Sequence, residues 1–166
     1  MIGRVTAIAF VVTACLFAAA DALAAEADDL EAQHQRNVAA SARLVELGDA
    51  AMAQRDVGGA LDMYERALVA DPASVSALKK LGFAYESVHL YTDEMKYCRM
   101  ALALEPDDVE ALGCQGVGAA HREEFELAVD NLKRIKELCG KHCPEYKALY
   151  RALKENFPVR YRRIRR

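Results

Sequence analysis

The chain has 166 residues, 53% of them apolar and 28% charged, which excludes both a wholly disordered chain and a collagen-like fibre. Alanine fills 31 positions, against 9 Gly and 4 Pro; this favours helices, because Ala loses no side-chain entropy in a helix and adds little to a pleated sheet. A formal net charge of −3 gives the chain as a whole no electrostatic footprint for nucleic acid.

Residues 1–25 read as a secretory signal peptide. Met1 to Arg4 is short and positive, Val5 to Ala20 runs sixteen residues without a charge, and small residues at Ala22 and Ala24 form an A-x-A site. Sixteen apolar residues fall short of the roughly 20 that span a bilayer. The pattern therefore predicts export, with the bacterial periplasm as the destination and cleavage after Ala24 or Ala25. Val12-Thr13-Ala14-Cys15 also resembles a lipobox, which would make a lipidated Cys15 the N-terminus. The apolar run continues through Leu16 to Ala20, which suits an uninterrupted signal better. Residues 26–40 follow as an acidic, polar extension (Asp28, Asp29, Glu31, Gln33, His34, Gln35) that either lengthens the first helix or stays mobile.

A period of 34 residues organises the rest. Gly48, Gly82 and Gly116 keep this spacing, as do Leu44, Leu78 and Leu112, and Pro72 and Pro106. Ala67 and Ala101 match; Ala60 and Ala128 match with Glu94 departing between them. A repeat of this length is a helix–turn–helix unit that buries its apolar face only by stacking on its neighbours. The glycine on the first helix and the small residue twelve positions on predict a close approach of two backbones. Turns are expected at Arg55–Gly58 and Leu90–Thr92, and each proline stops a second helix and suits the first turn of the next.

These residues resemble the tetratricopeptide repeat (TPR). The repeats are 41–74, 75–108 and a weaker third at 109–142. The resemblance implies an all-α solenoid of three helix–turn–helix repeats over 41–157, closed by a capping helix at 143–157. Pro144 stands at the first position of the cap, and Tyr146, Leu149, Tyr150 and Leu153 form its apolar stripe. The family also implies a concave groove lined by the first helices. Carried onto this chain, it includes Asp49, Met52, Lys79, Phe83, Glu86, Val117 and His121. Family members that grip a C-terminal carboxylate use Lys and Asn at set positions. Lys79 fits one of them, but Asp49 and Phe83 stand where asparagines are needed. What remains is a mixed groove with an apolar centre, suited to an extended or helical peptide.

Catalytic templates are not met: there is no G-x-S-x-G, P-loop or H-E-x-x-H. Gly116-Val-Gly118 falls inside a repeat helix, where glycines serve packing. Asp107-Asp108 and Glu123-Glu124 sit at helix starts, where carboxylates favour the macrodipole. Four cysteines remain after processing: Cys98, Cys114, Cys139 and Cys143. In an oxidising compartment Cys139 and Cys143 are expected to form a disulfide, with Gly140 breaking the helix between them. Cys98 and Cys114 either pair or stay as buried apolar side chains.

Residues 144–166 carry eight Lys/Arg against two Glu, whereas residues 26–143 carry thirteen against twenty-two Asp/Glu. Beyond Pro158 the basic tail 158–166 holds Arg160, Arg162, Arg163, Arg165 and Arg166, suited to an acidic protein or an anionic membrane surface. The whole reads as a non-enzymatic adaptor of the bacterial envelope that binds another envelope protein or peptide, without a cofactor and without nucleic acid. The competing reading is a periplasmic thiol- or metal-handling module built on Cys139, His142 and Cys143. The mature chain is predicted to begin near Ala25 or Glu26, and the intact mass of exported protein checks this. A mass starting at Cys15 plus acyl chains contradicts it.

Overall fold

A computed structural model describes the backbone of residues 3–160 and the side chains of residues 26–160. The signal segment, with Cys15, and the arginines at 162, 163, 165 and 166 lie outside the described side chains. Seven helices and no strand occur among the described residues: α1 (Gly3–Ala53), α2 (Val57–Ala70), α3 (Val75–Ser87), α4 (Tyr91–Leu104), α5 (Val109–His121), α6 (Phe125–Cys139) and α7 (Pro144–Asn156). No described helix is long and apolar enough to cross a membrane. The chain divides into two units at Ala39/Ala40.

In the first unit the acidic extension is helical and forms part of α1. Its exposed side chains pair locally along the helix. Gln33 donates to Asn37 at 2.9 Å, and Arg36 donates to Gln33 at 2.8 Å. Such three- and four-residue pairs each stabilise an exposed helix by only about 0.2–0.5 kcal/mol.

The second unit is the solenoid. The end of α1 pairs with α2, α3 with α4 and α5 with α6; α7 covers the last pair. Its caps follow the 34-residue period. Ser74 and Asp108 end the inter-repeat turns, and each accepts a hydrogen bond from the N–H three residues on, at 3.4 and 2.7 Å. Arg55, His89 and Glu123, again 34 apart, adopt the left-handed backbone region with φ of 62°, 61° and 63°. One left-handed residue reverses each helix pair, a conformation that costs a side chain about 1–2 kcal/mol. The turns therefore lie one to two residues ahead of the expected positions, at 54–56 and 88–90. Gly58, Tyr91 and Thr92 are already helical. Pro72 and Pro106 sit in the loops ahead of Ser74 and Asp108, not in the first turn of the next helix.

The core is laid down in layers. Val45, Ala60, Tyr64, Ala67, Ala77, Leu81 and Ala84 fill the first; Leu78, Ala101 and Ala111 join the second and third pairs; Leu112, Ala128, Leu132, Ile135, Leu149 and Leu153 fill the last. Full burial of side chains such as Ile135, Leu149 and Leu153 contributes about 1.5–3 kcal/mol each. The repeat glycines face larger groups than expected. A Cβ on Gly48 would collide with the Tyr64 ring, and one on Gly82 would collide with Cys98 Sγ and lie 2.7 Å from Cys114 Sγ. The alanines twelve positions on, Ala60 and Ala128, are fully buried at the same joints.

Glu94 holds that position in the second repeat and is also fully buried. Gly118 makes room for it: a Cβ there would lie 3.2 Å from the Glu94 carboxyl. Neither carboxylate oxygen has a hydrogen-bond partner of good geometry among the described residues, and only the Gly118 backbone offers weak relief. Burial, and then the charge of Glu86, push the Glu94 carboxyl up to about 9. The folded state thus holds a proton that the unfolded chain releases near the ordinary value of 4.5. This contribution to stability is complete below that value and is lost as pH rises toward the folded one. Glu94→Gln is expected to flatten the pH dependence and to stabilise the fold by roughly 1–3 kcal/mol at pH 8; urea melts of both proteins at pH 5 and 8 check it.

Candidate functional site

A hollow with a largely apolar lining lies between α3, α5 and α7 and has a volume of about 190 Å³. Phe83 and Glu86 come from α3, Glu110, Gly113, Cys114 and Val117 from α5, and Pro144, Glu145 and Ala148 from α7. Phe83 is half-buried, and its neighbours on the adjoining face of α3, Leu81 and Ala84, are in the core. The close approach of α7 depends on Gly113, where a Cβ would stand 3.1 Å from Glu145 Cβ. Burial raises the Glu86 carboxyl above the usual range, against a smaller opposing pull from His89.

Of the seven expected groove residues, Phe83, Glu86 and Val117 line this hollow. Lys79 stands beside it and is committed elsewhere. Its Nζ lies 2.7 Å from Asp108 Oδ2 and 2.8 Å from Glu110 Oε2. Burial lowers the Lys79 ammonium, but the hydrogen bonds and charges of Asp108 and Glu110 outweigh it and hold its pKa above the ordinary value. Asp49 works in the first helix pair. It accepts from the Tyr64 hydroxyl at 2.7 Å and from Lys80 Nζ at 2.8 Å. Burial pushes its carboxyl up, while these two hydrogen bonds together pull it below the usual value. Met52 packs against the first core layer. His121 is exposed and stacks on Tyr91, ring centroids 4.3 Å apart. The wall contributed by α7 is not visible in the groove positions of the repeats, because Glu145 and Ala148 belong to the cap. Only the apolar stripe of α7, which must face α5 and α6, hints that another side of it remains open.

Two cysteine pairs stand at disulfide distance. Cys98 and Cys114, with Cα atoms 6.1 Å apart, join α4 to α5, and Cys114 forms part of the hollow. Cys139 and Cys143, with Cα atoms 6.0 Å apart, join the end of α6 to the start of α7. Gly140, at φ 79°, ends α6, and Pro144 opens α7. One group of metal-capable side chains converges among the described residues: Cys139, Cys143 and Glu145, with ligand atoms within 4.8 Å of one another. His142 is not in it, so the Cys–His–Cys set of the competing reading is not assembled among the described residues.

At the start of the tail, Arg160 lies 3.7 Å from Glu126 and over the Phe125 ring at 5.0 Å. Phe125 in turn packs edge-on against Phe157.

No family model matches the chain, and no curated protein resembles it significantly. Solved structures do. The Arabidopsis OM64 TPR domain is 17% identical with a TM-score of 0.66, covering 73% of this chain and 99% of that one. The first TPR of Spaghetti (RPAP3), bound to HSP90 peptide SRMEEVD, is 20% identical with a TM-score of 0.66, covering 74% and 94%. The Sgt2 TPR domain from Aspergillus fumigatus is 22% identical with a TM-score of 0.65, covering 76% and 82%. The chain has a TPR-like fold, an all-α solenoid of three helix pairs and a cap.

Alkylation of the non-reduced, denatured chain without residues 1–25 is expected to label no cysteine. Reduction is expected to cost about 3 kcal/mol at Cys98–Cys114 and about 2 kcal/mol at Cys139–Cys143 by loop-closure entropy, read from urea melts of the Cys→Ala pairs. Full labelling of four thiols contradicts both bridges.

Proposed function

We propose that this chain is an exported, non-enzymatic adaptor that seats a segment of another envelope protein in the hollow between α3, α5 and α7. The observation that carries the reading is Phe83: a half-buried aromatic side chain lining a largely apolar hollow open to solvent. An aromatic anchor of this kind supplies large contact area at low entropic cost, and a few such residues carry most of an interface's binding energy. The Spaghetti TPR, similar in fold, is bound to a peptide, which supports a peptide as the occupant here. Export rests on the pattern of residues 1–25, with anchoring through a lipidated Cys15 as its variant. The basic tail from Arg160 adds an electrostatic contact to an acidic partner or an anionic membrane surface.

Phe83→Ala should weaken capture of the partner from solubilised native envelope at least tenfold, whereas an exposed change on α2, Glu65→Ala, should leave it unchanged. Equal capture by wild type and Phe83→Ala contradicts the groove reading. Affinity measured by anisotropy on the enriched partner segment gives the magnitude.

A further inference from the structure

We infer that the hollow selects a cationic segment, in which Lys or Arg flank the apolar side chain that meets Phe83, and rejects acid-rich segments. This rests on the peptide-binding reading above and adds the charge class of the partner. Each wall carries one glutamate at the hollow: Glu86 from α3, Glu110 from α5 and Glu145 from α7, whose carboxylate lies beside the Cys139 and Cys143 sulfurs. None of the residues lining the hollow is Lys or Arg. Lys79, beside the hollow, is already neutralised, since it lies between Asp108 and Glu110, and these three together leave one negative charge.

The arrangement matters because the floor is apolar. Carboxylates set around a low-dielectric surface focus their field into the opening instead of losing it to water. Glu86 already bears a burial cost that nothing in the free groove repays in full; an incoming ammonium or guanidinium would repay it. A carboxylate brought to the same place would meet like charge, with Lys79 already paired. Like-charge juxtaposition of this kind is strongly unfavourable at an interface. The groove is therefore opposite in sign to one that clamps an acidic tail. The two substitutions that spoil such a clamp, Asp49 and Phe83, have separate roles here, one tying Tyr64 and Lys80 and the other lining the hollow.

The test uses the oxidised mature chain and three fluorescein-labelled heptapeptides. They share a Leu-Phe-Leu centre, flanked on both sides by two Lys, two Gln or two Glu. The Lys peptide is expected to bind roughly tenfold more tightly than the Gln peptide, with the Glu peptide weakest. The preference should shrink several-fold between low salt and about 0.3 M NaCl. Glu110→Gln combined with Glu145→Gln should abolish the Lys preference, while Asp130→Asn combined with Glu137→Gln on α6 should leave it intact. Phe83→Ala should weaken all three peptides. If binding depends on Phe83 but is equal for Lys and Glu peptides, or stronger for Glu, the charge inference is overturned and the groove reading stands. An equal loss from the α6 pair also overturns it, because the attraction is then general to the acidic body. If no peptide binds in a Phe83-dependent way, the groove reading falls and the inference falls with it.

Discussion

Gly48, Gly82 and Gly116 hold the first helix of each pair close to what lies opposite, and the missing Cβ is what permits the contact. The Tyr64 ring, the Cys98 and Cys114 sulfurs, and the Leu149 side chain occupy the space that a methyl group would need. Everything else in the solenoid is arranged around these three approaches. Buried alanines at Ala60, Ala67, Ala101 and Ala128 keep the paired backbones close. The left-handed residues at 55, 89 and 123 reverse the chain in the short space left. At Gly113 the same device is used once more, letting the cap approach and making α7 a wall of the hollow. Spacing between helices thus decides both the core and the site.

The second repeat departs from this scheme and shows how a local cost is tolerated. Glu94 replaces a buried alanine, and its proton and the absent side chain of Gly118 are what let it fit. One turn further along α4, Cys98 stands in the layer that Tyr64 fills in the first repeat, and its pairing with Cys114 supplies stabilisation where Glu94 takes it away. Both features lie beside α5, the helix that also provides Glu110, Gly113 and Val117 to the hollow. The most heavily constrained helix is therefore the one that carries the largest share of the site.

The fold was legible because its signal is periodic. One glycine, one leucine and one loop proline recurring at a fixed interval are hard to reconcile with any other architecture. The turns were less legible: the residues that reverse the chain are Arg55, His89 and Glu123, of which only His is enriched in the left-handed region, whereas Gly58 nearby carries the stronger turn signal. Among the groove residues, position within the repeat found Phe83, Glu86 and Val117. It could not tell that Lys79 and Asp49 are taken up by partners 29 and 31 residues along the chain. Side-chain reach across helices is set by rotamers and by neighbours, and periodicity carries neither. The third wall belongs to a non-repeating segment, which a repeat pattern cannot describe.

In a stacked array each helix pair touches only its neighbours, so partial opening begins at an end and proceeds inward one pair at a time. The Cys98–Cys114 bridge fastens the second pair to the third. With it closed, the sequence of partly opened forms loses its middle step: the first pair can fray alone, but α4 and α5 must part from the body together. The cap is fastened in turn through Cys139–Cys143. Oxidation thereby turns a chain of nearly independent segments into one short free end and one long cooperative block, and the hollow lies within the block.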